Sequence, residues 1–323
     1  MKVMVTGGAG YVGAHACAAL AARGHEVVVF DHLRRGRRDF VQWGELIEGD
    51  LCDLAAIASA VKRARPAAVM HFAALAYVGE SVENPGLYYH NNVGGTLNLL
   101  DAMRACGVDK IVFSSTCAIY GVPTRVPIPE NHAQAPISPY GASKAMVEQV
   151  LKDYDAAFGV RFAALRYFNA AGADPEGRVG EAHVPETHVI PLALEAAHGD
   201  PTAFRIFGTD YPTPDGTAVR DYIHVADLAE AHVRALEHLA GGGGSIALNL
   251  GTGEGVTVRD IVAAVERVTG KRLRPKESPR RPGDPPALVA DNAHARELLG
   301  WTPVRSDLDT MIGDAWAWRL KQD

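Results

Sequence analysis

The 323-residue sequence predicts an α/β protein: a doubly wound, mostly parallel sheet with helices on both faces, joined to a smaller α/β carboxy-terminal domain. Three observations predict it. Short apolar runs of strand length alternate with helix-like patterns over the first 250 residues. The first such run is followed at once by a glycine cluster and a helical stretch. Beyond Asn169 the texture changes, and loops rich in Pro, Gly and Asp separate shorter elements.

Taken in order, Lys2–Thr6 is the first strand, and Gly7-Gly8-Ala9-Gly10-Tyr11-Val12-Gly13 is the turn after it. Ala14–Arg23 is helical, with Gly24 as its stop. Val27–Phe30 is the second strand and ends on Asp31. Further strands are expected at Leu46–Ile47, Ala68–Phe72, Lys110–Ser114, Phe162–Tyr167 and Ile246–Leu250. Further helices are expected at Leu54–Arg63, Val93–Cys106, Pro139–Phe158, Ile190–His198 and Val225–Leu239. The segments Ala173–Gly180, Gly208–Gly216 and Ser278–Pro286 read as loops, and Gly241–Gly244 as a flexible turn. This places a larger domain at 1–168 with 220–252, and a smaller one at 169–219 with 253–323.

Strand, glycine turn, helix, strand and acid within about 30 residues form the fingerprint of a Rossmann-type dinucleotide site. Glycines permit the tight turn, admit a pyrophosphate to the backbone and let the helix pack on the strand. The phosphates belong at the helix amino end, where free N–H groups and the dipole favour anions. Asp31 lies 18 residues past Gly13, about where an acid meets a ribose 2′-hydroxyl. A 2′-phosphate would be repelled there, which favours NAD over NADP. Arg34, Arg35, Arg37 and Arg38 are the counter-signal, and they are read as a solvated basic loop.

Composition narrows the rest. Net charge is −6 with no long basic stripe, against nucleic acid as the principal ligand. No apolar run reaches the roughly 18 residues of a membrane helix. With a strand starting at residue 2, no signal peptide is expected. Cys17, Cys52, Cys106 and Cys117 lack paired spacing and suit a reduced, cytoplasmic protein. Neither His-Glu-x-x-His nor Cys-x-x-Cys occurs. His183 and His188 stand five apart among acids and are read as satisfied or solvent-facing, so no metal is expected. The absence of Gly-x-Ser-x-Gly removes a serine-hydrolase reading.

The strongest chemical signal is Ser138-Pro139-Tyr140-Gly141-Ala142-Ser143-Lys144. Ser138 suits a helix cap and Pro139 a first helical position. Tyr140 and Lys144, four apart, then share one helix face. A lysine held near a tyrosine favours the phenolate and lets it act as a base.

These segments together resemble the extended short-chain dehydrogenase/reductase superfamily and, within it, the UDP-glucose 4-epimerase family. The resemblance spans essentially the whole chain. It rests on Gly7–Gly13, His71-Phe72-Ala73-Ala74, Phe113-Ser114-Ser115-Thr116, Tyr140/Lys144 and Arg166-Tyr167-Phe168-Asn169. Its most distinctive part is Ile206–Gly216 followed by Val219-Arg220-Asp221-Tyr222-Ile223-His224-Val225. The resemblance implies that Gly7, Gly10, Tyr11, Val12, Gly13, Asp31, His32 and Leu33 contact NAD, with Asp50 and Leu51 beside the adenine. Phe72, Ala73, Ala74, Asn91, Ser114 and Phe168 would line the cofactor bed. Thr116 would supply a hydroxyl near the sugar O4, Tyr140 the base, and Lys144 the grip on the nicotinamide ribose. Asn169, His188, Val189, Phe207, Arg220, Tyr222, Arg281, Asp284 and Leu288 would hold a UDP-sugar. Guanidinium groups suit a diphosphate because two-point hydrogen bonds match it. The implied reaction interconverts UDP-glucose and UDP-galactose through a transient 4-keto sugar, in a homodimer built from helices near Pro85–Cys106 and Pro139–Phe158.

Three positions depart from familiar forms of the family. His188 stands where an asparagine often contacts substrate, Ala76 replaces a lysine that touches the cofactor, and Leu288 falls where residue bulk sets tolerance for a 2-acetamido group. UDP-xylose/UDP-arabinose and UDP-N-acetylhexosamine 4-epimerases are therefore the alternative readings. A 4,6-dehydratase would need carboxylates where Thr116-Cys117-Ala118 stands. A non-catalytic NAD-sensing protein is the reading from another class, and such proteins commonly lose the Tyr/Lys pair.

Overall fold

A computed structural model describes residues 1–281 and 283–322. Pro282, in the loop expected over 278–286, and Asp323 lie outside the described residues. The first six strands are β1 Lys2–Thr6, β2 Glu26–Asp31, β3 Gly44–Glu48, β4 Ala68–His71, β5 Lys110–Thr116 and β6 Arg161–Tyr167. With Ile246–Leu250 they form one seven-stranded sheet in the order Ile246–Leu250, β6, β5, β4, β1, β2, β3. Every pairing in it is parallel. All seven expected strands are present, with ends shifted by one or two residues.

The alternating faces of these strands build two cores. Val3 and Val5 of β1 point to one side and pack with Cys17 and Leu20 of helix α1 (Tyr11–Ala22), and with Leu228, Leu236 and Leu239 of the Val225–Ala240 helix. Met4 points to the other side, against Leu99 and Met103 of the Gly95–Ala105 helix and Leu151 of the Pro139–Phe158 helix. A period of two along the strand thus decides which helix layer each side chain meets. Ala295, Leu299 and Trp301 join the first core although they come from beyond residue 253. A third core gathers Ile190, Leu194, Phe204, Ile206, Ile261, Val265 and Ile312 around the short carboxy-terminal strands.

The long Pro139–Phe158 helix starts as its sequence dictates. Ser138 Oγ accepts from Gly141 N at 3.2 Å, Pro139 is the first helical residue, and Gly159 ends it at φ +71°. Ahead of Gly95 the backbone makes a π-turn over Tyr89–Gly94, so the helix expected from Val93 begins two residues later. Helices at Val258–Thr269, Ala293–Leu299 and Leu308–Leu320 were not anticipated. No helix among the described residues is long and apolar enough to cross a membrane. All four cysteines are free thiols.

Candidate active site

The strand order reverses between β1 and β4, and the chain leaves the carboxyl ends of both strands there. In open parallel sheets this is where ligands bind. After β1, Gly7 adopts φ +75°, and a Cβ on it would lie 2.5 Å from the Ala73 nitrogen. A Cβ on Gly13 would overlap the Gly7 carbonyl oxygen. Gly10 is the N-cap of α1 and has no side chain to close its first turn, so that turn keeps its N–H groups for an anion.

Asp31, at the end of β2, is buried. Its two carboxylate oxygens accept one backbone N–H each, from Leu33 at 2.9 Å and Ala9 at 3.1 Å. A carboxylate has about four acceptor sites, so hydroxyls can still be received. His32 stands 3.7 Å from the same group. The arginines that follow are matched to acids: Arg34 to Asp50 at 3.2 Å, Arg35 to Glu80 at 2.6 Å, Arg37 to Asp39 at 2.6 Å, and Arg38 to Glu48. The basic loop is therefore internally neutralised rather than a phosphate receptor. These residues fit the adenosine and diphosphate of a dinucleotide with a free 2′-hydroxyl.

Beyond β4, the Phe72 and Ala73 nitrogens both donate to the Thr6 carbonyl, which lays this segment beside the glycine turn. Asn91 lies inside the π-turn and donates its amide to Asn92 Oδ1 at 2.9 Å. Asn92 is the residue the sequence reading missed. It is buried, accepts from Leu75 N, and donates to both Leu75 O and Ser143 Oγ. Ser143 Oγ in turn donates to the Tyr140 carbonyl at 2.7 Å. This chain of bonds fixes the cofactor-side loop to the tyrosine helix. Its only sequence signal is a double asparagine ahead of Gly94-Gly95.

At the end of β5, Thr116 points its hydroxyl toward the Tyr140 phenol, while its Oγ1 accepts from Ala118 N at 3.1 Å. Burial pushes the phenol well above its ordinary range, neighbouring Tyr167 adds to the rise, and the bond to Thr116 works the other way. Lys144 shares the helix face, as expected. Its ammonium, however, descends to the Ser114 carbonyl, donating at 2.7 Å over the Phe113 ring. A buried cation must find an acceptor, and the strand end offers the one it takes. Burial brings this amine down to about 7. Ser114 Oγ pairs with the Tyr167 hydroxyl at 2.7 Å, and Phe168 sits in a small core with Cys117 and Tyr120, flanked by Leu288.

A second group lies on the carboxy-terminal elements. Asn169, opposite Tyr222 in a parallel pair, donates its amide to the Asp221 carbonyl at 3.0 Å. Arg220 pairs with Asp284, not with the adjacent Asp221. Asp221 is buried and accepts backbone N–H groups from Thr252, Gly253 and Ala290. The Arg281 guanidinium lies 4.3 Å from the centre of the Phe207 ring. His188 caps the Val189–His198 helix and faces Glu181 and Glu186. His188 is half exposed, and these acids raise its imidazole to about 10.

A parallel sheet with a dinucleotide turn at its switch point, facing a Tyr/Lys helix, defines an α/β protein of nucleotide-dependent hydride chemistry. The chain belongs to the NAD dependent epimerase/dehydratase family, whose profile matches residues 3–251. It is 54% identical to a UDP-glucose 4-epimerase of Rhizobium leguminosarum bv. trifolii, over 99% of this chain and 98% of that protein. Among solved structures it is similar to the UDP-glucose 4-epimerase from Brucella ovis in complex with NAD, with a TM-score of 0.95, 53% identity and coverage of 98% and 97% of the two chains. It is also similar to the Stenotrophomonas maltophila UDP-glucose-4-epimerase with bound NAD and formylated UDP-arabinopyranose. There the TM-score is 0.96 and the identity 40%, over 100% of this chain and 98% of that one.

Proposed function

We propose that this protein is an NAD-dependent 4-epimerase that interconverts UDP-glucose and UDP-galactose. The observation that carries this reading is the Tyr140/Lys144 helix face, its lysine buried, set against Thr116 at the carboxyl end of β5, with no carboxylate in Thr116-Cys117-Ala118 to support dehydration. NAD fits the glycine turn and Asp31, and it supplies an acceptor and returner of the C4 hydride together with a positive charge.

The chain's own residues do the rest. Tyr140 takes the proton of the sugar 4-hydroxyl and later returns it. Ionising a phenol above its ordinary 10 at pH 7 costs more than about 4 kcal/mol, at 1.36 per unit. Thr116 lowers that cost by a hydrogen bond, and Lys144 contributes a nearby charge while protonated. The 4-keto sugar turns between the two transfers. Asn169, His188, Val189, Phe207, Arg220, Tyr222, Arg281, Asp284 and Leu288 hold the UDP-sugar during that turn. Gly7, Gly10, Tyr11, Val12, Gly13, Asp31, His32, Leu33, Asp50, Leu51, Phe72, Ala73, Ala74, Asn91, Ser114 and Phe168 hold the cofactor.

The same reading includes a larger cofactor domain, 1–168 with 220–252, and a smaller sugar domain from 169–219 and 253–323. It also includes a cytoplasmic place in galactose metabolism and a homodimer. Leu87 (40% exposed), Met146 (47%) and Phe158 (51%) lie on the helices expected to meet, and apolar groups of this size favour a partner. Protein incubated with UDP-galactose and no added NAD should yield UDP-glucose by proton NMR. Turnover only of UDP-pentoses or UDP-N-acetylhexosamines would move the substrate. Silence on all of them, with NAD bound, would leave a binding protein.

A further inference from the structure

One cluster of side chains joins His188 to three residues that have no role above. Glu181, His183, Glu186 and His188 offer four ligand atoms that all lie within 4.8 Å of one another. His188 Nδ1 is 2.6 Å from Glu181 Oε1 and 2.8 Å from Glu186 Oε1. His183 Nδ1 is 3.0 Å from Glu181 Oε1 and 3.9 Å from Glu186 Oε2. Both carboxylate side chains are almost wholly buried, at 7% and 10% exposure.

Proton counting makes this arrangement unusual for a plain ion-pair group. An imidazole Nδ1 carries at most one proton, yet that of His188 meets two carboxylate oxygens. One of those oxygens also meets His183. A single cation at the centre would satisfy all four groups together. For metal–ligand bonds of about 2.05 Å, the edge of a tetrahedron is about 3.3 Å. The four His–Glu separations, 2.6 to 3.9 Å, lie around that edge, and all four ligand atoms lie within 4.8 Å of one another.

Local bonds also pin the Glu186 carboxylate and the Glu181 backbone. Glu186 Oε1 accepts from Thr187 N at 2.6 Å and His188 N at 2.7 Å. Trp318 Nε1 donates to the Glu181 carbonyl at 2.9 Å. Such outer bonds aim ligands at a metal. Two imidazoles with two carboxylates suit Zn²⁺ and its divalent neighbours.

We propose that Glu181, His183, Glu186 and His188 form a four-ligand site for a divalent transition-metal ion of the Zn²⁺ class. The site lies at the wall of the cleft, with the Tyr11 ring of the dinucleotide turn 6.2 Å and the Tyr77 ring 6.0 Å from His183. A metal there ties the 181–188 segment into one rigid unit. Bound through Nδ1, His188 keeps its Nε2–H as a donor for a ligand oxygen. The site stands independently of which sugar is turned over.

The test uses tag-free, NAD-containing full chain, dialysed against chelator and then titrated with Co²⁺. Wild type should take up one Co²⁺ per chain, with visible ligand-field bands of four-coordinate intensity, and Zn²⁺ should displace it. His183→Gln and Glu186→Gln, each checked for an unchanged far-ultraviolet dichroism spectrum, should weaken binding about a hundredfold. His25→Gln, on the surface, should not. Absence of one-to-one uptake by wild type overturns the site by itself, whatever the variants do. Uptake that survives both His183→Gln and Glu186→Gln also overturns it.

Discussion

The cofactor half of the cleft is held open by backbone, while the groups of the substrate half hold one another. At Gly7 and Gly13 the backbone packs so closely that a Cβ would overlap the Ala73 nitrogen or the Gly7 carbonyl, and Asp31 is aimed by two backbone N–H groups. On the other side Arg220 is paired with Asp284, Arg281 rests on Phe207, and the Asn169 amide is spent on a carbonyl. One half is a preformed receptor whose occupant should stay. The other must exchange internal contacts for ligand contacts, so its occupant should come and go. An epimerase that recycles one NAD over many sugars needs that asymmetry.

The largest effect should come from filling the preformed half. In Gly13→Val, side-chain atoms would occupy the place of the Gly7 carbonyl and close the turn. The purified variant should carry no NAD by absorbance after denaturation and show no turnover without it. Retention of full cofactor would mean that the turn is not the anchor. At the seam of the two halves, Tyr140→Phe should keep its NAD but lose kcat by roughly 10²- to 10⁴-fold, the range for a positioned proton-transfer group. Near-normal kcat in a folded variant would remove Tyr140 as the base.

The self-paired half should respond more gently. Arg220→Met should leave NAD content and kcat nearly intact and raise KM for UDP-galactose. Hydrogen bonds to charged groups are worth about 1.5–3 kcal/mol, which corresponds to roughly 10- to 150-fold. An Arg220 that must give up Asp284 to hold a ligand places the rise at the lower end of that range. A loss confined to kcat would contradict the assignment, since it would mean that Arg220 acts on the reacting atoms.

The same asymmetry governs what was legible in the sequence. The glycine turn, Asp31 and the Tyr140/Lys144 pair are local patterns, and local geometry alone determines them. The neutralised arginines were readable only as a loop, because Glu80 lies 45 residues from Arg35. Arg220 has an acid beside it in sequence, Asp221, but its partner in the fold is Asp284, 64 residues away. Asn91 is named by the resemblance alone, and neither composition nor spacing says that the adjacent Asn92 faces inward. The Val258–Thr269 helix did carry a readable start, because Thr257 and Asp260 form a capping box. The turn-rich segments on either side hid it, although Ile261, Ala264 and Val265 sit at helical spacing and are buried. Lys144 shows the limit of motif reading: the pair was found, but the acceptor of its ammonium is a strand carbonyl that only the tertiary structure supplies.

The smallest predicted effect lies in the packing behind the cofactor half, and it is a pH dependence. His15, His71 and His232 are buried, and burial lowers them to about 4, 3 and 4. Two of them, His15 and His232, have a buried Nε2 with no partner. The unfolded chain titrates its histidines at about 6.5. Below that pH it binds protons that the folded protein refuses, so stability falls as pH drops from 6.5 toward 4. It is insensitive to these groups above 7. For His232 the loss at pH 5.5 relative to pH 7.5 is about 1.4 kcal/mol, from the two pKa values. His232→Phe, which keeps a ring against Phe72, should lose correspondingly less stability over that interval in urea unfolding of the NAD-bound protein. An unchanged difference between the two pH values would show that His232 already carries its proton in the fold. The core behind the cofactor half would then be less dry than its packing indicates.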